Sequence, residues 1–136
     1  MKIVIDTNVL MAGLLKDSIV RAMLLSKNIK FFIPEHALDE IRKYEDELLK
    51  KSGYAKKQLK SLMNYLLENV KIIPSSITKN HLKKAESIMK NIDIKDSSFI
   101  AAVFSINADG IWSYDNHFKK QDKVKVFSIE ELIEKF

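Results

Sequence analysis

The stretch that decides the fold is Lys2–Asn8 (KIVIDTN), at the start of the 136-residue chain. Its β-branched, apolar run Ile3-Val4-Ile5 predicts a short buried strand. The run ends at Asp6, and Thr7-Asn8 then suits the start of a helix because an apolar segment follows directly. A buried strand that passes through an acid into a helix is the first unit of an alternating β and α pattern.

The rest of the chain continues this alternation. Further strands are predicted at 30–33, 70–73, 110–113 and 124–127. Helices are predicted at 9–15, 19–25, 34–51, 54–69, 78–91, 96–107 and 128–135, with the break between the third and the fourth at Ser52-Gly53. This pattern predicts an α/β fold with a central parallel sheet of four to five strands and helices on both faces. The helices between 35 and 69 follow each other without a strand, which predicts a helical hairpin at the rim of the sheet.

The composition indicates one globular domain over 1–136, since 46% of residues are hydrophobic and 30% are charged. Without cysteine there is no disulfide, thiolate metal site or cysteine nucleophile. The three glycines form no glycine-rich turn after the first strand, which argues against dinucleotide binding. No signal-peptide pattern and no apolar run of about 18–20 residues is present, so we expect a cytoplasmic protein without a membrane span.

The net charge of +5 favours polyanionic partners such as nucleic acid. It fits equally well a domain whose lysines are simply solvated. Charge alone therefore leaves both interpretations open.

Acids lie where two predicted strands end. Open parallel sheets bind ligands outside the carboxyl ends of their strands, where the strand order reverses. Asp6 follows the first strand and Asp115 follows the fourth, so we expect both at the same rim. Asp96 starts a nearly all-apolar helix, with Asp93 one turn before it. Helix capping explains such an acid when it stands alone, but the start of a buried helix should also lie near the rim.

A fourth acid, Glu40, lies beside the apolar stripe of its helix, although a surface ion pair would also explain its position. Carboxylates packed together raise one another's pKa, and a divalent cation relieves that repulsion. Oxygen ligands favour Mg²⁺ or Mn²⁺ over zinc. His36, His81 and His117 show no zinc-ligand spacing and are interpreted as surface residues.

Four segments resemble, in order, the motifs of PIN domains. They are 3–10 (IVIDTNVL), Pro34-Glu35 with Glu40-Ile41, 93–101 (DIKDSSFIA) and 111–118 (IWSYDNHF). The resemblance covers essentially the whole chain and includes small prokaryotic PIN proteins, among them VapC-type toxins and stand-alone archaeal forms. It implies a PIN-like fold and Mg²⁺- or Mn²⁺-dependent cleavage of single-stranded RNA that leaves a 5′-phosphate and a 3′-hydroxyl. It also implies a homodimer and, for a toxin, an antitoxin protein as partner.

The resemblance assigns roles by position. The catalytic and metal-binding acids are Asp6, Glu40, Asp96 and Asp115, with Glu40 orienting a water or a second metal; Thr7, Asn8, Ser113 and, less directly, Asp93 are polar support. Many relatives carry another Asp two residues after the fourth acid, where this chain has His117. That departure puts a second metal site in question, though not the first.

Six lysines of the helical hairpin are candidates for gripping the RNA backbone: Lys43, Lys50, Lys51, Lys56, Lys57 and Lys60. A solvated face with ion pairs to Glu45, Asp46 and Glu47 explains them equally well. The apolar residues of the first two helices likewise fit either a dimer interface or the core; they are Leu14, Leu15, Ile19, Met23 and Leu24.

Two other functions compete with catalysis. A catalytically weak or inactive PIN-like module that binds RNA or a protein would keep the fold, but an intact set of four acids argues against it. A flavodoxin-like phospho-acceptor domain also gathers acids at strand ends. Such a domain usually has paired acids after its first strand, whereas Asp6 is followed by Thr7-Asn8.

Overall fold

The protein is described here from a computed structural model, which covers residues 1–15 and 18–136. Its strands form one sheet in the order β3-β2-β1-β4-β5, and every neighbouring pair is parallel. The strands are β1 (Lys2–Ile5), β2 (Lys30–Pro34), β3 (Val70–Ile73), β4 (Gly110–Trp112) and β5 (Val126–Phe127). The predicted α/β fold with a parallel sheet is confirmed, and the sheet has five strands.

Helices connect these strands. They are α1 (Thr7–Leu14), α2 (Ser18–Leu25), α3 (Glu35–Lys43), α4 (Glu45–Ser52), α5 (Lys56–Leu66), α6 (Ser75–Thr78), α7 (Leu82–Met89), α8 (Ser97–Ile106) and α9 (Ile129–Ile133), with 3₁₀ turns at 79–81, 94–96 and 116–120. Among the described residues, none of these helices has the length and apolar character needed to cross a membrane.

The direction of the connections places helices on both faces of the sheet. From β1 through β2 to β3 the chain moves towards one edge, whereas from β3 to β4 it moves back past β1. Right-handed crossovers therefore put α1–α5 on one face and α6–α8 on the other. Helix α8 packs across β1, β2 and β4, and α7 packs against α8. This explains why α8 is almost entirely apolar and why residues 99–103 are buried.

The strand order reverses between β1 and β4, and this reversal positions the functional site. The two strands pair in register, with Ile5 opposite Trp112. The backbone N–H of Asp6 then donates to the carbonyl of Trp112 at 3.1 Å. Residues that follow the two strands therefore emerge side by side at the carboxyl edge of the sheet.

The region from Glu35 to Asn69 contains three helices, where the sequence predicted two. The first predicted helix breaks at Tyr44, which has φ −101° and ψ 11° and is 48% exposed. Three acids follow it, at 45–47, and acids favour the N-terminus of a new helix. The predicted break at Gly53 is found, with φ 73° in the left-handed region.

The helix predicted at 78–91 starts earlier and is interrupted. Pro74 precedes a single turn, α6, and Glu35 Oε1 accepts a hydrogen bond from the Ser75 N–H at 2.9 Å. The 3₁₀ turn at 79–81 separates α6 from α7. This cap comes from a residue 40 positions away, so local spacing could not reveal it.

Most of the residues considered for a dimer interface belong to the core of the single chain. Leu14, Met23 and Leu24 are buried, whereas Ile19 is 55% exposed. These residues therefore add little support for a homodimer, which stays a prediction.

Candidate metal centre

Ser113 connects the two acids that follow β1 and β4. Its hydroxyl donates to Asp6 Oδ2 at 2.7 Å, and its oxygen accepts the backbone N–H of Asp115 at 2.9 Å. Asp6 is only 6% exposed, so its orientation is set by this hydrogen bond and by the surrounding core. The structure thus brings Asp6 and Asp115 together, as the parallel strands predicted.

Asp96 does not cap the helix that it precedes. Its side chain makes no capping hydrogen bond to α8, and its Oδ2 is buried without a hydrogen-bond partner in the described residues. The capping role belongs to Asp93, whose Oδ1 accepts the Lys95 N–H at 3.1 Å and starts the 3₁₀ turn at 94–96. The Asp96 carboxylate is therefore left to face the other acids.

His117 lies among the acids, so its interpretation as a surface residue was wrong. Its Nδ1 is 3.3 Å from Asp93 Oδ2, 3.5 Å from Asp96 Oδ2 and 3.4 Å from Asp115 Oδ1. Spacing in the sequence missed this residue because its partners come from a distant turn. Its position two residues after Asp115 was the available signal.

Glu40 approaches from α3, on the side of Asp6. His36, one turn earlier on the same helix, places its Nε2 3.4 Å from Glu40 Oε1 and 2.8 Å from Ser98 Oγ. The His36 ring also packs edge-on against Phe99, with centroids 5.0 Å apart. His36 therefore lies between α3 and α8, and it was also wrongly interpreted as a surface residue.

The acids share an environment that disfavours their negative charge. Burial raises the pKa of Asp96 to about 6, and the charges of Asp93, Asp115 and Asp6 contribute to the rise. Burial raises the pKa of Asp6, which the hydrogen bond from Ser113 partly opposes.

Burial followed by the charge of Asp6 raises the pKa of Glu40, while Lys43 and Thr7 lower it. The influence of the Asp6 charge on Glu40 indicates that α3 carries its acid to the same edge of the sheet as β1. The charge of Asp6 therefore raises the pKa of both Glu40 and Asp96, and the charge of Asp115 raises the pKa of both Asp6 and Asp96.

The residues present fit a divalent cation. Asp93, Asp96 and His117 offer ligand atoms that lie within 4.8 Å of one another. Asp96 Oδ2 and His117 Nδ1 are both buried without a hydrogen-bond partner in the part of the chain that the structure describes. Unpaired buried polar atoms are costly, and a cation that they coordinate removes that cost.

The supporting residues differ in exposure. Thr7 is buried at the start of α1 beside Asp6, whereas Asn8 is exposed there. Both keep their supporting role as a prediction.

The six lysines lie on the helices α3 to α5 and are exposed. Lys43 ends α3, one turn after Glu40, and its charge lowers the pKa of that carboxyl. Lys51 pairs with Glu47 at 2.8 Å, as the solvated-face interpretation predicts. Lys56 and Lys60 line an apolar groove of about 380 Å³ whose lining includes none of the four acids. Of the six, Lys43 thus has the clearest link to the site.

Comparisons with known proteins agree with this picture. A family model described as PIN domain matches residues 4–132. The crystal structure of VapBC2 from Rickettsia felis bound to a DNA fragment from their promoter is similar, with a TM-score of 0.71, 19% sequence identity, and coverage of 94% of this chain and 98% of that chain. At that identity, the similarity shows a shared fold. No curated protein matches this sequence.

Proposed function

This chain belongs to the PIN-domain family, and from that membership and its clustered acids we propose that it is a metal-dependent endoribonuclease acting on single-stranded RNA. The observation that carries the proposal is the meeting of Asp6, Asp96 and Asp115 at the strand-order reversal, with Glu40 beside them. Such crowding of acids is expected at a functional site, whereas elsewhere the repulsion between the carboxylates would only destabilise the fold.

The proposed metal ligands are Asp6, Asp96 and Asp115, directly or through water, with Glu40 at the side of Asp6. Their oxygen donors favour Mg²⁺ or Mn²⁺. When bound, the cation supplies Lewis acidity towards the phosphodiester and lowers the pKa of an attacking water.

The chain's own residues orient the reaction. Ser113 holds the Asp6 carboxylate and the Asp115 backbone at once, which fixes the two strand ends relative to each other. Burial raises the pKa of Glu40, and this suits a group that orients a water and accepts its proton. Attack of that water on phosphorus with breakage of the P–O3′ bond leaves a 5′-phosphate and a 3′-hydroxyl.

We propose that the positive charge of the chain attracts the RNA backbone. Lys43 is the lysine best placed to act near the acids, because it follows Glu40 by one helical turn. The other five lysines of the set would extend that attraction along α4 and α5.

We also propose that the chain is the toxin of a toxin–antitoxin pair. The similar fold of VapBC2 supports this, since that structure is of a complex bound to promoter DNA. An antitoxin protein would then be its partner in the cell.

The direct test replaces Asp6 with Asn, which keeps the shape of the side chain and removes its charge. We expect Asp6→Asn to lower the rate of single-stranded RNA cleavage with Mn²⁺ by a factor of at least about 100, since metal binding depends on the charge of the carboxylate. Cleavage of end-labelled RNA, with and without EDTA, measures this rate.

Asp39→Asn is the matched control, because Asp39 is exposed and pairs with Arg42. Cleavage by Asp6→Asn at the parental rate would show that the proposed metal mechanism is wrong. RNA binding without cleavage by the parent would instead support the non-catalytic binding module. Growth arrest on expression of the parent, but not of Asp6→Asn, is the result expected of a toxin.

A further inference from the structure

We infer that His117 is a ligand at the proposed metal centre, and that its nitrogen donor makes the site select Mn²⁺ over Mg²⁺. This inference rests on the proposed function, because it assumes that the acids bind a divalent cation. The inference adds two ligands that are not among the four acids, His117 and Asp93, and it favours one of the two metals that those acids leave open.

The distances around His117 Nδ1 are those of neighbouring ligands. The three separations from Nδ1 to carboxylate oxygens, 3.3 to 3.5 Å, exceed the usual N–H···O hydrogen-bond distances of about 2.7–3.2 Å. Two donors that each lie about 2.0–2.2 Å from one cation are about 3.0–3.5 Å apart. Asp93, Asp96 and His117 offer ligand atoms that all lie within 4.8 Å of one another, which is close enough for one ion to bind all three.

The backbone that carries the His117 ring is held in position by contacts at His117 and at Phe118. The backbone N–H of His117 donates to Asp115 Oδ1 at 2.9 Å. This hydrogen bond caps the 3₁₀ turn at 116–120, so Asp115 and His117 both lie at the start of that turn. The next residue, Phe118, is fully buried and meets Phe99 of α8 edge-on, with centroids 6.1 Å apart. Because Asp96 directly precedes α8, this contact fixes the turn relative to Asp96 as well.

The donor set then favours a transition metal. Asp93 and Asp96 supply oxygens beside His117, and oxygens suit Mg²⁺ and Mn²⁺ alike. Imidazole nitrogen suits first-row transition ions, whereas Mg²⁺ requires near-ideal octahedral geometry and usually keeps several waters. A nitrogen donor beside these carboxylates thus shifts the preference towards Mn²⁺.

Metal titration of the full chain tests the inference. We compare the affinities for Mn²⁺ and for Mg²⁺ of the parent, His117→Asp and His117→Ala by calorimetry. We expect His117→Asp to bind both ions, with a ratio of Mn²⁺ to Mg²⁺ affinity at least about 10-fold lower than that of the parent, since it returns the site to oxygen donors. His81→Ala is the matched control, because His81 lies outside the acidic cluster.

Pulsed electron paramagnetic resonance of bound Mn²⁺ gives a readout that does not depend on activity. We expect coupling to a ring nitrogen in the parent and its loss in His117→Ala, with circular dichroism to confirm that the variant is folded. Mn²⁺ bound to the parent without nitrogen coupling would overturn this inference and leave the nuclease proposal standing. Tighter Mn²⁺ binding by His117→Ala would also overturn it, since the imidazole would then be acting as a competing cation. Failure of the parent to bind any divalent ion would overturn both proposals.

Discussion

At the residue scale, Asp96 is the residue of the site that most clearly destabilises the metal-free fold. Its side chain is only 20% exposed, and its carboxylate faces Asp93 and Asp115 across His117. Burial and these charges raise its pKa to about 6, so near neutral pH the metal-free fold carries an unfavourable negative charge. Loss of stability at a functional site is expected where the site needs a charge that only a ligand compensates.

Replacing Asp96 with Asn should therefore stabilise the metal-free protein. The pKa of Asp96 is higher in the folded state than in the unfolded state. Between about pH 4 and pH 6 the folded state therefore binds more protons than the unfolded state, and the protein loses stability as the pH rises through that window. We expect Asp96→Asn to be more stable than the parent by on the order of 1–2 kcal/mol at pH 7, and the difference to shrink towards pH 4. Thermal unfolding in EDTA at several pH values measures this difference.

Asp39→Asn serves as the control, since Asp39 lies at the surface in an ion pair with Arg42. Added Mn²⁺ should stabilise the parent and have little effect on Asp96→Asn, because metal binding stabilises only the state that binds it. A loss of stability in Asp96→Asn at neutral pH would contradict this account of the site.

At the element scale, the position of β4 depends on close packing against β5. A Cβ on Gly110 would lie 2.4 Å from the carbonyl oxygen of Lys125 and 2.6 Å from the ring of Phe127. The strand therefore approaches β5 at a distance that only glycine permits. Because Ser113 and Asp115 follow β4, this packing also positions part of the site.

Gly110→Ala should thus lower both stability and activity. We expect a loss of about 2–3 kcal/mol in the free energy of unfolding, since backbone and a buried ring must both move. Gly53→Ala is the matched control, because Gly53 has open space around its Cβ position but φ 73°, and its expected cost is about 1 kcal/mol. Urea unfolding measures both variants; equal losses would show that close packing at Gly110 is unimportant.

At the scale of the whole molecule, the net charge of +5 should strengthen the RNA binding that we propose. Each phosphate contact with single-stranded RNA contributes a slope of about −0.7 to the dependence of log affinity on log salt concentration. The lysines differ in what surrounds them. Lys43 influences Glu40 at the site, whereas Lys51 is already paired with Glu47.

Lys43→Ala should accordingly weaken RNA binding more than Lys51→Ala does. We expect Lys43→Ala, in the Asp6→Asn background, to make the salt slope less negative by about 0.7 and to lower affinity several-fold, while Lys51→Ala changes little. Fluorescence anisotropy with a labelled single-stranded RNA over a range of salt concentrations measures both. Equal effects of the two variants would place the RNA path away from Lys43.

The sequence by itself determined the α/β class, the parallel sheet and the edge at which Asp6 and Asp115 meet. Strand periodicity is local, and parallel strands share one carboxyl edge whatever lies between them. Only the tertiary structure decided that Asp96 does not cap α8, that Tyr44 ends a helix and that His117 faces three carboxylates. The positions of Asp96 and His117 depend on how α8 and the turn at 116–120 pack against each other, and that packing joins residues that lie about 20 positions apart and cannot be read from local sequence patterns.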